Sequence, residues 1–235
     1  MATGRRRDRQ RNRALLGLAS SNVDGDSSHG LFLHQMLHQV HRTGSCRDAD
    51  HVRDVLDGHG ADERTAAEVA RHADRCPLGA ETLGDEVEWA RAHRGPPVFV
   101  ATARLDAAWV HDGLLDVRDY KSGRVAIAHL GEDPRARVQA WVAARQAETR
   151  GLRLRLRYEH LAAEVVDDPD PWEPTDDELS AITAELEAVV TEMRATREFH
   201  GVGDEAVCRH CAYRGVCDES AAPAPPSWPE PGTAA

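Results

Sequence analysis

Asp106, Asp119 and Lys121 are the residues whose types and spacing first suggest chemistry. They lie in ATARLDAAWVHDGLLDVRDYKSG, residues 101–123, which turns at His111-Asp112-Gly113-Leu114. Asp-Gly between two runs rich in Val, Leu and Trp is a strong short-range signal for a β-hairpin. Residues 98–106 and 114–121 are therefore expected as paired antiparallel strands. If Asp112 and Gly113 form a two-residue loop, position 111 faces 114 and, counting back along both strands, Asp106 faces Asp119. Directly opposed side chains share a face of the sheet with Cβ atoms about 4.5–5.5 Å apart, so two like charges there repel unless a cation lies between them. Lys121, two residues beyond Asp119, falls on the same face by the period-2 alternation of a strand. Two carboxylates and one ammonium so grouped can hold a hard divalent cation through oxygen and keep a positive charge beside the water it activates. Spacing alone equally describes an exposed hairpin face with ordinary charges.

Two further groups carry potential ligands. In HGLFLHQMLHQVHR, His34, His38 and His41 fall at i, i+4 and i+7 of an expected helix, while Leu33, Leu37 and Val40 line another face. No carboxylate or cysteine at ligand spacing completes a zinc site within that helix. Near the C-terminus, CRHCAYRGVC places Cys208, Cys211 and Cys217 in a C-x2-C-x5-C array. Clustered thiolates of this kind suit an iron–sulfur cluster or zinc. Either centre ordinarily needs a fourth ligand: Cys46 or Cys76 for a cluster, with His210 or His72 also open to zinc. Cys46, just past the first helix, is preferred.

The elements that must position these residues follow from periodicity. Residues 1–28 read as a flexible basic arm, with six arginines and one aspartate between Arg5 and Arg13. Helices are expected over 28–42 and within 48–75, broken near DGHGAD, and strands from about residue 86 to 121. PRARVQAWVAARQAE follows as a helix with Val138, Trp141 and Val142 at core-facing spacing. LRLRLRYEHLAAEVV alternates as a half-buried strand does, arginines on one face and leucines on the other. Thr175 and Glu178 make a capping box ahead of an amphipathic helix whose apolar stripe is Leu179, Ile182, Leu186, Val189, Val190 and Met193. Residues 29–218 are expected as one domain, and the Pro- and Ala-rich tail 219–235 as disordered.

Composition sets outer bounds. The chain has 235 residues and a net charge of −11, which excludes a generic whole-surface nucleic-acid binder, so contact with a polyanion must be local. Five cysteines are too few for a disulfide scaffold. No segment is apolar for long enough to span a membrane, and the Arg-rich start has too short an apolar patch for a signal peptide. A cytoplasmic protein with reduced cysteines and no membrane partner is expected.

Together these residues resemble the RecB-type branch of the PD-(D/E)XK nuclease superfamily, including AddB-type and CRISPR-adaptation nucleases with an iron–sulfur staple. The resemblance rests on Gly30 and His34 in GLFLH, Asp106 in ARLDAAW, Asp119 and Lys121 in DYKSG, Gln139 in the next helix, and the closing cysteine triplet. These come in the family's order over residues 28–218. It implies an α/β fold: a restriction-endonuclease-like core with a mixed central β-sheet flanked by helices, N-terminal helices and a C-terminal Cys-rich staple. His34, Asp106, Asp119 and the Tyr120 carbonyl would hold Mg or Mn, Lys121 would orient or activate the attacking water, and Gln139 would support the site. A [4Fe-4S] cluster on Cys208, Cys211 and Cys217, with Cys46 as fourth ligand, would close the fold; zinc is the alternative. The implied activity is DNA phosphodiester hydrolysis in repair or recombination. Any ATP-driven helicase partner would be another chain, since no G-x-x-x-x-G-K-[ST] motif is present. Three features depart from the family pattern. Ala143 stands where a tyrosine often follows the glutamine, no cysteine precedes His34, and Ala103 replaces the glycine before the first acid. A nuclease-like fold that binds DNA or protein without cutting is the alternative function.

Overall fold

The computed structural model describes residues 27–43, 45–76, 81–122, 129–162, 170–197, 201, 203–209, 211 and 217–222. The chain divides into two compact units, residues 24–190 and the two termini 1–23 with 191–235. The expected arm before Ser27, the tail beyond Ala222 and His210 lie outside the described residues.

Three helices open the larger unit: α1 (Ser27–Thr43), α2 (Ala49–Gly58) and α3 (Glu63–Ala73). The break between α2 and α3 falls at the expected Gly-rich turn. Asp48 caps α2 by accepting from the amides of Asp50 and His51, and Asp62 caps α3 by accepting from Thr65. Such side chains satisfy first-turn N–H groups that have no helical partner. Four strands follow as β1 (Glu81–His93), β2 (Phe99–His111), β3 (Leu114–Lys121) and β4 (Arg153–His160), in the sheet order β1-β2-β3-β4. The first two pairings are antiparallel and β3–β4 is parallel. A parallel neighbour requires a crossover, which is supplied by α4 (Pro134–Arg150). The sheet is thus mixed and flanked by helices, as expected, although β1 begins at Glu81 rather than near Glu86.

The hairpin register is the expected one, with His111 opposite Leu114 and Ala107 opposite Arg118. Its loop works because Asp112 and Gly113 both take positive φ, 50° and 72°, the twist a two-residue hairpin needs. The alternation then separates two faces. Ala107, Trp109 and Tyr120 join Leu33, Met36, Leu37 and Val40 of α1 in one core cluster. Leu115, Val117, Leu154 and Leu156 alternate with them, buried on the α4 side with Ala140, Trp141 and Val142.

The face that carries the arginines of β4 is not simply solvated. Asp116 is fully buried and meets Arg155 Nη2 at 3.1 Å and Arg118 Nη2 at 3.3 Å, while Arg118 Nη1 reaches Glu159 at 3.0 Å. Burial opposes ionisation of Asp116, but Arg118 and Arg155 hold its carboxyl below the usual range. The capping box forms as expected: Thr175 N donates to Glu178 at 2.7 Å and Glu178 N to Thr175 Oγ1 at 3.2 Å, opening α5 (Asp176–Ala195). Of the expected apolar stripe on that helix, only Ile182 and Leu186 are fully buried.

In the smaller unit, α6 (Glu205–Arg209) carries Cys208, which is buried; Cys211 and Cys217 are partly exposed, and none of the three is in a disulfide. Cys46 is instead bonded to Cys76. This corrects two expectations, that the cysteines are reduced throughout and that Cys46 is the fourth ligand of the C-terminal triplet. The packing of α1 against α3 brings the residues just after each helix together, so each sulfur is already engaged by the other.

The face of α1 that supports the site is defined by Leu33, Met36, Leu37 and Val40, all fully buried. Leu37→Ala is expected to cost about 2–5 kcal/mol, the range for a truncated core leucine. Urea unfolding of the parent and the variant measures it, and a loss below about 1 kcal/mol would mean that α1 is not packed as described.

Candidate active site

Asp106 and Asp119 arise from the centre of β2 and the end of β3; the ladder between these strands ends at Ala107 and Arg118, one step short of the two carboxylates, which lie close enough for their charges to act on one another. The Asp106 Oδ2 accepts from the Tyr120 amide at 2.6 Å, which fixes its carboxylate between the strands. His34 comes from α1: its Nδ1 lies 3.3 Å from Asp106 Oδ1 and its Nε2 3.1 Å from the Tyr120 carbonyl oxygen. Gly30, one turn earlier, permits this approach, because a Cβ there would lie 2.8 Å from Ser122 Oγ. Asp119 uses both oxygens: Oδ1 accepts from Gln139 Nε2 at 2.8 Å, and Oδ2 pairs with Lys121.

Lys121 Nζ also sits 4.1 Å from the centre of the Tyr158 ring, in cation–π contact. Tyr158 is almost wholly buried and donates its hydroxyl to Asp133 Oδ1 at 3.0 Å. Burial, and then the charges of Asp119 and Asp133, push its phenol well above the ordinary range, so it stays protonated. Asp133 is also the cap of α4, accepting from the Arg135 and Ala136 amides at 2.9 and 2.8 Å. The start of the Gln139 helix and the aromatic wall behind Lys121 are thus tied at one carboxylate.

The structure therefore brings His34, Asp106, Asp119, Tyr120, Lys121 and Gln139 together. It does not bring the three histidines of α1 to one site, since His41 turns instead to His72, with their Nε2 atoms 2.9 Å apart. It also adds Glu86. Oxygens of Glu86 and Asp106 and a His34 nitrogen lie within 4.8 Å of one another, a grouping that could hold a metal ion. Glu86 has φ 52° in a β1 stretch whose register shifts between Thr82 and Gly84, and it pairs with Arg104, whose Nε donates at 2.8 Å. Nothing in EVEWARAH marks this glutamate. Tyr158 had a weak signal, as the aromatic residue on the leucine face of β4.

The electrostatics follow from crowded negative charge. Burial disfavours the Asp106 carboxylate and the charge on Asp119 adds to that, so its pKa is raised. Burial also opposes a charged His34, but Asp106, and then Asp119 and Glu86, outweigh this and push it up to about 9. The donor set, carboxylate oxygens with a backbone carbonyl and one imidazole, fits a hard divalent cation.

A family model of the PD-(D/E)XK nuclease superfamily matches residues 9–218. The chain belongs to that superfamily. Members of the PD-(D/E)XK superfamily are generally hydrolytic nucleases that use divalent metals, and the mixed sheet flanked by helices is consistent with their restriction-endonuclease-like fold. A solved structure of SSO0001 aligns over 89% of this chain and 95% of its own, with 14% sequence identity and a TM-score of 0.38. No curated protein matches the sequence significantly. Among the described residues, no helix of this PD-(D/E)XK chain is long and apolar enough to cross a membrane.

Since His34 is protonated below about 9, a cation binding there must displace its proton. Affinity for Mn2+ is therefore expected to rise with pH, by on the order of tenfold per unit between about 7 and 9, and then to level off. Calorimetric titration in buffers of different ionisation enthalpy reads both the affinity and the proton released. A pH-independent affinity with no proton release would remove His34 from the ligand set.

Proposed function

We propose that this chain is a Mg- or Mn-dependent deoxyribonuclease of the RecB/AddB type, acting in DNA repair or recombination with a helicase supplied by another chain. The observation that carries the reading is the convergence of His34, Asp106, Asp119 and Lys121, with Gln139 bonded to Asp119. A binding module has no need to keep two opposed carboxylates in a buried setting, where their repulsion costs stability. The net charge of −11 is compatible with a partner that delivers the substrate, because the chain as a whole repels a polyanion.

In this reading His34, Asp106, Asp119 and the Tyr120 carbonyl hold the cation, with Glu86 beside them. The bound cation supplies polarisation of a phosphoryl oxygen and neutralises charge that develops there. Asp119 and the face of Tyr158 hold the Lys121 ammonium in one place, from which it orients the attacking water. Gln139 fixes the rotation of the Asp119 carboxylate. The water oxygen bonds to phosphorus, the bond from phosphorus to one sugar oxygen breaks, and the water's proton is lost as the leaving oxygen gains one. Cys208, Cys211 and Cys217 hold a [4Fe-4S] cluster in the smaller unit; their C-x2-C-x5-C spacing supports this assignment. Iron and sulfide analysis of anaerobically purified parent and Cys211→Ser tests it, with zinc in place of iron as the contrary result.

Cleavage of single- and double-stranded DNA with Mn2+ or Mg2+ tests the activity. Asp119→Asn is expected to reduce cutting to background with the fold intact, and Lys121→Ala to slow it by about 10²–10⁴-fold while the cation still binds. Asp119→Asn that cuts like the parent would overturn the site. A parent that binds DNA and metal but never cuts, even with a helicase present, would mark a non-catalytic binding module.

A further inference from the structure

Behind the sheet from Asp119 lies a second set of ligand-type side chains that the nuclease chemistry does not use. His41 is in the last turn of α1 and Cys46 five residues on; His72 is in the last turn of α3 and Cys76 four residues on. The two helix ends therefore present the same pair of ligand types. One atom from each of the four residues, two imidazole nitrogens and two sulfurs, lies within 4.8 Å of all the others. His41 Nε2 is 2.9 Å from His72 Nε2 and 4.0 Å from Cys76 Sγ. Zinc bonds of about 2.0–2.1 Å to nitrogen and 2.3 Å to sulfur would give a tetrahedron with edges of roughly 3.3–3.8 Å, so small side-chain shifts suffice.

We propose that His41, Cys46, His72 and Cys76 form a four-coordinate structural zinc site that is filled when the two thiols are reduced. Three observations beyond proximity support it. First, the His72 Nδ1 is 2.8 Å from Glu159 Oε1, and both side chains are fully buried. With that nitrogen donating to the carboxylate, Nε2 keeps its lone pair and points toward His41; a carboxylate behind a histidine in this way is the usual support of a zinc ligand. Second, both histidines stand at helix C-termini, where the backbone carbonyls favour a cation. Third, Cys46 and Cys76 are only 4% and 5% exposed, and the rings of Trp109 and Tyr120 lie 5.6 Å from His41 and 5.1 Å from His72, so bulk water is largely excluded.

The disulfide is the oxidised, metal-free form of the same site. A dithiol reductant gives up two electrons and two protons to split the Cys46–Cys76 bond into two thiols and itself becomes a disulfide. Both thiol protons then pass to solvent as Zn2+ takes the two thiolates. The site ties α1 to α3, and through α1 it positions His34, seven residues before His41.

The test uses the full chain with Cys208, Cys211 and Cys217 replaced by serine, so that thiolate-bound metal reports on the inner four residues. After reduction with a dithiol and removal of excess reagent, Co2+ is titrated as a spectroscopic probe and displaced by Zn2+. The expected result is one equivalent with the intense visible bands of tetrahedral, thiolate-bound cobalt. These bands should be absent in Cys46→Ser and vanish on reoxidation with peroxide. If the triple-serine background does not fold, the reduced parent is compared with His41→Gln, whose uptake should be lower by one equivalent. Absence of the tetrahedral spectrum, equal uptake in parent and His41→Gln, or a Cys46–Cys76 bond that survives the dithiol in the folded chain would each overturn the proposal.

Discussion

Two carboxylates are placed close together on neighbouring strands, and much of the surrounding structure answers that constraint. Asp106 is held between the strands by the Tyr120 amide at 2.6 Å, and it cannot swing away from Asp119 without losing that bond. Cationic and donor groups are therefore gathered around the pair: His34 from α1, Lys121 from β3 and Gln139 from α4. Each comes from a different element, so helices on both sides of the sheet have to be in register before the repulsion is offset. A divalent cation is the natural completion of such a set, since it replaces a proton on His34 with two positive charges among oxygen donors.

Tyr120 links the two faces of the sheet. Its amide and carbonyl serve the carboxylate side, bonding Asp106 and His34, while its ring packs on the other side against His72. Only a strand residue can divide itself in this way, with backbone groups in the sheet plane and the side chain perpendicular to it. The polar face behind is organised in turn by buried ion pairs, Asp116 with Arg118 and Arg155, and Glu159 with Arg118 and His72. Pairs of this kind add little net stability compared with apolar packing, but removal of one partner leaves a buried charge uncompensated. They make the arginines of β4 part of the interior, whereas the alternation LRLRLR suggested a face open to water.

The hairpin was legible because its signals are local. Asp112 and Gly113 adopt positive φ, the loop length follows, and the period of 2 carries the register back to the aspartates. The capping box of Thr175 and Glu178 is local for the same reason. The stripe Leu33, Leu37 and Val40 indicated which way α1 faces, and hence that His34 and His41 point differently from those leucines. Glu86 was not legible: its approach to His34 depends on an irregular stretch of β1 and a positive φ at a non-glycine residue, neither of which has a signature in EVEWARAH.

The sequence by itself determined the types and order of the elements, the register of β2 against β3 from the turn to Ala107 and Arg118 and, with it, the nearness of Asp106 and Asp119. These follow from backbone preferences and side-chain periods that act over a few residues. Only the tertiary structure decided which partners those residues meet. Cys46 was expected to serve the C-terminal triplet and is bonded to Cys76; His41 was grouped with His34 and faces His72. Both outcomes depend on how α1 packs against α3. That packing is set by the summed burial of many apolar side chains and not by the spacing of any ligand.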